Sequence, residues 1–104
     1  MQNTSISNLG MLRQSLNEYM PELRERYGVK TLGIFGSYAH GRQNKRSDID
    51  LLVEFDEHVP ITLVSFVALE RELGKLLGQR VDLVEREALK PVIGQRILAE
   101  VIPV

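Results

Sequence analysis

Cysteine is absent from the 104 residues, which removes disulfides and thiolate metal sites at once. Any metal must be held by oxygen or by the only two histidines, His40 and His58. An excess of either charge is missing too: 13 lysines and arginines against 14 aspartates and glutamates leave a net charge of −1. There is no global basic field to drive non-specific nucleic-acid binding, and no direct nucleic-acid contact is expected. No apolar run approaches the roughly 20 residues that span a bilayer. The opening MQNTSISNLG lacks the charged-then-apolar pattern of a signal segment, so the expectation is a cytoplasmic protein with no membrane partner. The hydrophobic share of 43% and the charged share of 26% are ordinary for a globular chain. A chain of this size buries roughly two-thirds of its unfolded surface, so residues 1–104 read as a single domain with one modest core.

What is present is ordered by hydrophobic spacing. Ile6, Leu9, Leu12, Leu16, Tyr19, Met20, Leu23 and Tyr27 fall at steps that mark one face of a helix, with Ser5 or Ser7 as its cap and Gly28 as its stop. Pro21 removes a helical hydrogen bond, so a kink or a junction of two helices is expected there. Val29–Phe35 reads as a buried strand and Asp48–Phe55 as a second. In the second, Ile49, Leu51, Val53 and Phe55 share one face, and Asp48, Asp50, Leu52 and Glu54 the other. Leu63, Phe66, Val67, Leu73, Leu76 and Leu77 predict a helix that stops at Gly78; Arg80–Val84 predicts a third strand. A last helix over about Pro91–Val101 carries Val92, Ile93, Ile97, Leu98 and Val101. The order predicts an α/β or α+β fold: a small mixed sheet with helices mainly on one side.

The chemistry gathers between Gly36 and Asp50. Residues two apart on a strand project from one face with Cα atoms about 6–7 Å apart. Two carboxylates so placed repel, and a divalent cation removes the conflict: Mg²⁺ takes one or two carboxylates and completes its shell with water and substrate phosphates. Gly36-Ser37 stands where an apolar strand gives way to a turn. Glycine there lets the backbone approach a ligand, and backbone N–H groups with the Ser37 hydroxyl cradle phosphate oxygens. Tyr38 to His40 can form the first turn of a short helix, and Arg42, Lys45 and Arg46 bring positive charge to the same loop. Asp82, in RVDLV, faces away from Val81 and Leu83 and joins the acidic pair if its strand lies beside theirs. Alone, Asp48 and Asp50 also read as solvated acids, Gly36-Ser37 as an ordinary turn and Asp82 as a solvent-facing edge residue. The force of the motif lies in their coincidence. Both histidines read as surface residues, and Tyr38 as packing beside the loop.

Gly-Ser, ten residues, then Asp-x-Asp resembles the signature of the DNA polymerase beta-like nucleotidyltransferase superfamily. The stretch GSYAHGRQNKRSDIDLLVEF is most similar to the minimal nucleotidyltransferases (MNT), the antitoxin halves of HEPN/MNT toxin–antitoxin pairs. The resemblance covers almost the whole chain. It implies a palm-like fold, with Gly36 and Ser37 at the triphosphate of ATP, and the loop cation Arg46 is expected to bind beside it. It also implies Asp48, Asp50 and Asp82 as catalytic acids that hold Mg²⁺, two ions in all. It further implies transfer of AMP to a tyrosine hydroxyl of a cognate HEPN ribonuclease toxin, which silences it. His40 departs from the pattern, since many relatives carry arginine or lysine before the glycine.

Three functions compete on this reading. The first is a protein adenylyltransferase whose acceptor surface comes from the toxin, since only about 50 residues follow Asp50 and a template or drug usually needs further domains. The second is an antitoxin that masks its toxin by binding alone. The third is a transferase for a small aminoglycoside-like hydroxyl compound. Assembly is expected with the toxin, with a second copy, or both.

Overall fold

The computed structural model describes residues 7–104. Its first helix, α1 (Leu9–Tyr27), buries Leu12, Leu16, Met20 and Leu23, the stripe that the spacing requires. Neither predicted serine caps it. Ser5 and Ile6 lie outside the described residues, and Asn8 is the cap, its Oδ1 accepting from Met11 N at 2.9 Å. Gly28 closes the helix at φ 71°, donating to Arg24 O at 3.1 Å. A Cβ at Gly28 would also come within 2.6 Å of Val59, so no other residue fits that corner. Pro21 neither breaks α1 nor divides it: the helix is continuous through an exposed position. Tertiary burial of the opposite face outweighs the local cost of the proline.

Two strands follow, β1 (Val29–Phe35) and β2 (Ile49–Phe55), paired antiparallel with an irregularity between Val29 and Thr31. α2 (Leu63–Leu77) then crosses over to β3 (Val81–Glu85), which runs parallel to β2. Thr62 caps α2 through Ser65 N at 3.1 Å, and Gly78 ends it at φ 68°. After a 3-10 turn (Arg86–Ala88), α3 (Pro91–Glu100) leads into β4 (Ile102–Pro103), which pairs antiparallel with β1. The sheet order is β3-β2-β1-β4. The result is a mixed sheet in an α+β fold, as the spacing predicts, with three corrections at its edges. Asp48 precedes β2 rather than beginning it, β3 is one residue later at each end, and β4 was not anticipated.

The core lies on one face of the sheet. Ile34, Ile49, Leu51 and Val53 pack there with Leu12, Leu16 and Leu23 of α1 and Leu69 and Leu73 of α2, all fully buried. The alternation read from β2 therefore holds: Asp50, Leu52 and Glu54 turn to the other face. On that face Gly33 is required, because a Cβ would overlap the side chain of Val101. α3 contributes little to the core. Gly94 is its only buried residue, while Val92 and Ile93 are 81% and 59% exposed.

Replacing Pro21 tests the account of α1. Pro21→Ala restores a hydrogen bond at an exposed helical site and is expected to stabilise the fold by about 1–3 kcal/mol, several degrees in Tm. Thermal unfolding checks this; an unchanged or lower Tm would mean that α1 is built around the proline.

Candidate active site

The strand register assembles the site. Phe35 of β1 pairs with Asp50 of β2, and Asp50 pairs in turn with Asp82 of β3. Paired residues on neighbouring strands project from the same face, with strands about 4.8 Å apart. Asp50 and Asp82 therefore stand side by side, and Asp48 adds a third carboxylate from the exposed residue that enters β2. Their mutual influence is visible at Asp50. Its carboxyl is pushed up to about 6, first by burial and then by the negative charges of Asp82 and Asp48.

Gly36 follows β1 directly, with φ 73°. A Cβ on this residue would overlap Asp50 Oδ2, so the carboxylate lies against the bare glycine backbone. The Gly-Ser step and the acidic pair, separated by ten residues in sequence, thus meet on one side of the sheet. Beyond Gly36 the chain forms consecutive hydrogen-bonded turns rather than the short helix expected at Tyr38–His40. Gly36 O accepts from Ala39 N at 3.1 Å, and Ser37 O accepts from Arg42 N at 2.9 Å. His40 N and Gly41 N are also used within the turn. None of these bonds draws on the N–H of Gly36 or Ser37, the two groups a phosphate would meet beside Asp50.

The loop cations divide differently. Arg46 is not joined to the acids: it is exposed on the 44–47 turn, its backbone N–H bonded to Asn44 Oδ1 at 2.8 Å. Arg42 and Lys45 are exposed as well. His40 Nε2 sits 3.2 Å from Glu100 Oε2, which ties the turn to the end of α3; His58 is exposed on a separate loop. Tyr38 packs beside the turn as read from the sequence, being 2% exposed, and its hydroxyl donates to Gln79 Oε1 at 2.7 Å. Two residues escape sequence reasoning. Gln79 is one, and Glu70 of α2 is the other, its Oε2 accepting from Leu83 N on the outer edge of β3 at 2.8 Å. Both act across the fold, and no local motif marks them.

The donor set suits a hard divalent cation. Among the described residues no three histidine, aspartate or glutamate side chains close into a ready-made metal cage. Mg²⁺ asks for less, one or two carboxylates with phosphates and water completing its octahedron. Asp48 and Asp50 could supply such a pair, with Asp82 adjacent, and a cation there would offset both the burial and the like charges that raise Asp50. The acids sit on an open ledge of the sheet. A concavity of about 330 Å³ lies elsewhere, lined by Arg86, Leu89, Lys90, Gly94 and Leu98, and none of the acids borders it.

The electrostatics of Asp50 have a measurable consequence. The folded chain holds this proton at pH values where the unfolded chain has released it. Stability therefore falls as pH rises from about 3.8 to about 6, and the deficit is complete above that window. Asp50→Asn should stabilise the ligand-free protein near neutral pH, by about 1 kcal/mol after allowance for solvent screening of this partly exposed group. The gain should vanish near pH 4 in thermal unfolding. An equal gain at both pH values would place its origin outside the carboxylate charge.

Comparison with known proteins identifies the family. Residues 16–103 match the model of the nucleotidyltransferase domain family. Protein adenylyltransferase MntA of Thermococcus cleftensis is 47% identical over 87 residues, 84% of this chain and 86% of that protein. A solved structure provisionally described as a minimal nucleotidyltransferase superimposes with a TM-score of 0.79 at 38% identity, covering 97% of this chain and 100% of that one. A toxin–antitoxin crystal structure with AMP-PNP gives a TM-score of 0.70 at 26% identity, covering 84% of this chain and 69% of the matched one. With the family model spanning most of its length and the motif assembled on one ledge of the sheet, the chain belongs to the nucleotidyltransferase domain family, as an enzyme of the minimal, AMP-transferring kind.

Proposed function

We propose that the protein is an antitoxin that transfers AMP from Mg-ATP to a tyrosine hydroxyl of a cognate HEPN ribonuclease toxin, silencing it. The observation that carries this reading is the contact between the Gly36 backbone and the Asp50 carboxylate. It sets a phosphate-binding turn beside an acid that needs a cation, with a further acid in register on the next strand. The likeness to an adenylyltransferase and to a toxin–antitoxin complex holding an ATP analogue supports the substrate and the class of partner.

In this reaction Gly36 and Ser37 orient the triphosphate so that its α-phosphorus faces the incoming hydroxyl. The acceptor oxygen attacks in line, its bond to phosphorus forms as the bond to the β-phosphate oxygen breaks, and pyrophosphate leaves. Asp82 takes the hydroxyl proton. Asp48 and Asp50 would hold Mg²⁺ and Asp82 would share a second ion; the metal would supply positive charge against the phosphates and the leaving oxygen. Arg46 approaches the triphosphate from its exposed turn. A second reading, in which the protein neutralises its toxin by binding alone, is favoured by the exposed apolar side chains Leu63, Val64, Val92 and Ile93.

The two readings separate when the protein is mixed with Mg-ATP and its toxin partner and the partner is weighed. The wild type is expected to add the mass of AMP. The Asp48→Asn/Asp50→Asn variant should lose at least about a hundredfold in transfer rate, and protection with it, while still binding the toxin. Protection that survives in that variant without a mass gain would replace catalysis by masking. Asp82→Asn should slow turnover about a hundredfold with little change in ATP affinity; equal loss of both would count against its role as base.

A further inference from the structure

Asp82 lies on β3, an edge strand whose only partner among the described residues is β2. The segment that leads into it, Gly78 to Arg80, leaves α2 through a left-handed glycine and meets the sheet only at its last residue, where Arg80 O accepts from Ile49 N. Such an edge is the part of a sheet most free to shift. The third acid nonetheless has to hold a fixed relation to the nucleotide, because sub-ångström placement of reacting groups decides rate.

Two side chains from other elements pin this segment. Glu70 of α2 accepts the outward Leu83 N–H, one residue after Asp82. Tyr38 donates its hydroxyl to Gln79 Oε1, three residues before Asp82. Tyr38 also follows the Gly36-Ser37 step directly and packs into the core at 2% exposure. A rigid, buried ring therefore joins the phosphate turn at one end to the approach of β3 at the other. Arg80 O, on the same approach, accepts from Ile49 N at 2.9 Å, which draws the entry of β2 into the same assembly.

We propose that Tyr38 and Gln79 form a strut that fixes the distance between the phosphate turn and Asp82, so that Tyr38 is a positioning residue for the transfer reaction. The inference rests on the role given to Asp82 in the proposed function. The strut touches neither the phosphates nor the acceptor. It acts by keeping the base and the cradle in one frame when the triphosphate loads the turn.

A double-mutant cycle tests it, with AMP transfer to the toxin as the rate and calorimetric Mg-ATP binding alongside. Tyr38→Phe keeps the buried ring and removes the bond; it is expected to lower kcat about tenfold while leaving KM for ATP within about threefold. Gln79→Leu, made from the half-buried side, should reproduce that effect. In an Asp82→Asn background, Tyr38→Phe should cost less than about twofold more, because the residue it positions is already gone. Amide hydrogen exchange in the nucleotide-free protein should quicken over residues 79–83 and stay unchanged over α1, which a general loss of stability would not produce. A tenfold loss that persists in the Asp82→Asn background, or a change in KM rather than kcat, would overturn the strut and leave the role of Asp82 intact. An Asp82→Asn enzyme with full activity would overturn the role of Asp82, and the strut with it.

Discussion

The carboxylate of Asp50 rests on the backbone of Gly36, and the rest of the site depends on that contact. It requires a residue without a side chain, held at positive φ, where β1 gives way to the turn. It also requires the β1/β2 register that sets Phe35 opposite Asp50. Shift that register by one residue and the acid would turn into the hydrophobic core, leaving the glycine with nothing to accommodate. The buried stripe of α1 packs on the core face of these two strands and helps to hold this pairing in place.

The cost of the arrangement falls on Asp50. Burial disfavours its charge, and the neighbouring charges of Asp82 and Asp48 add to that, so the carboxyl holds its proton well above the usual range for an aspartate. A stability-driven design would not place acids there. A site that awaits a cation and a polyphosphate would, since binding supplies the compensating charge. An open ledge fits the proposed reaction, in which the acceptor would reach the phosphorus from outside.

Much of this was legible in the sequence because the relevant patterns are local. The period of β2 put Asp50 opposite the core face, and Gly36-Ser37 at a strand end pointed to a turn. Both followed from residues close together. Other features were hidden for physical reasons. β4 spans two residues and contains a proline, so it has no period to read, and it exists only because β1 offers an unpaired edge. Pro21 looked like a break because local propensity was weighed without the packing of the opposite face. Asn8 rather than a serine caps α1 because the helix starts later than its apolar spacing suggests. Gln79 and Glu70 carry no motif at all, since their partners lie 41 and 13 residues away. Val92 and Ile93 fitted a helical face, yet both stay largely exposed among the described residues.

The central claim is that Asp48 and Asp50 hold a divalent ion against a triphosphate seated on Gly36-Ser37. Crystals grown with Mn²⁺ and a non-hydrolysable ATP analogue test it most directly, because anomalous scattering locates the metal independently of the nucleotide. The account predicts a manganese peak coordinated by both aspartates and by phosphate oxygens, with the phosphates hydrogen-bonded to Ser37. A manganese ion away from the two aspartates, or a triphosphate on the helix-covered face of the sheet, would contradict it.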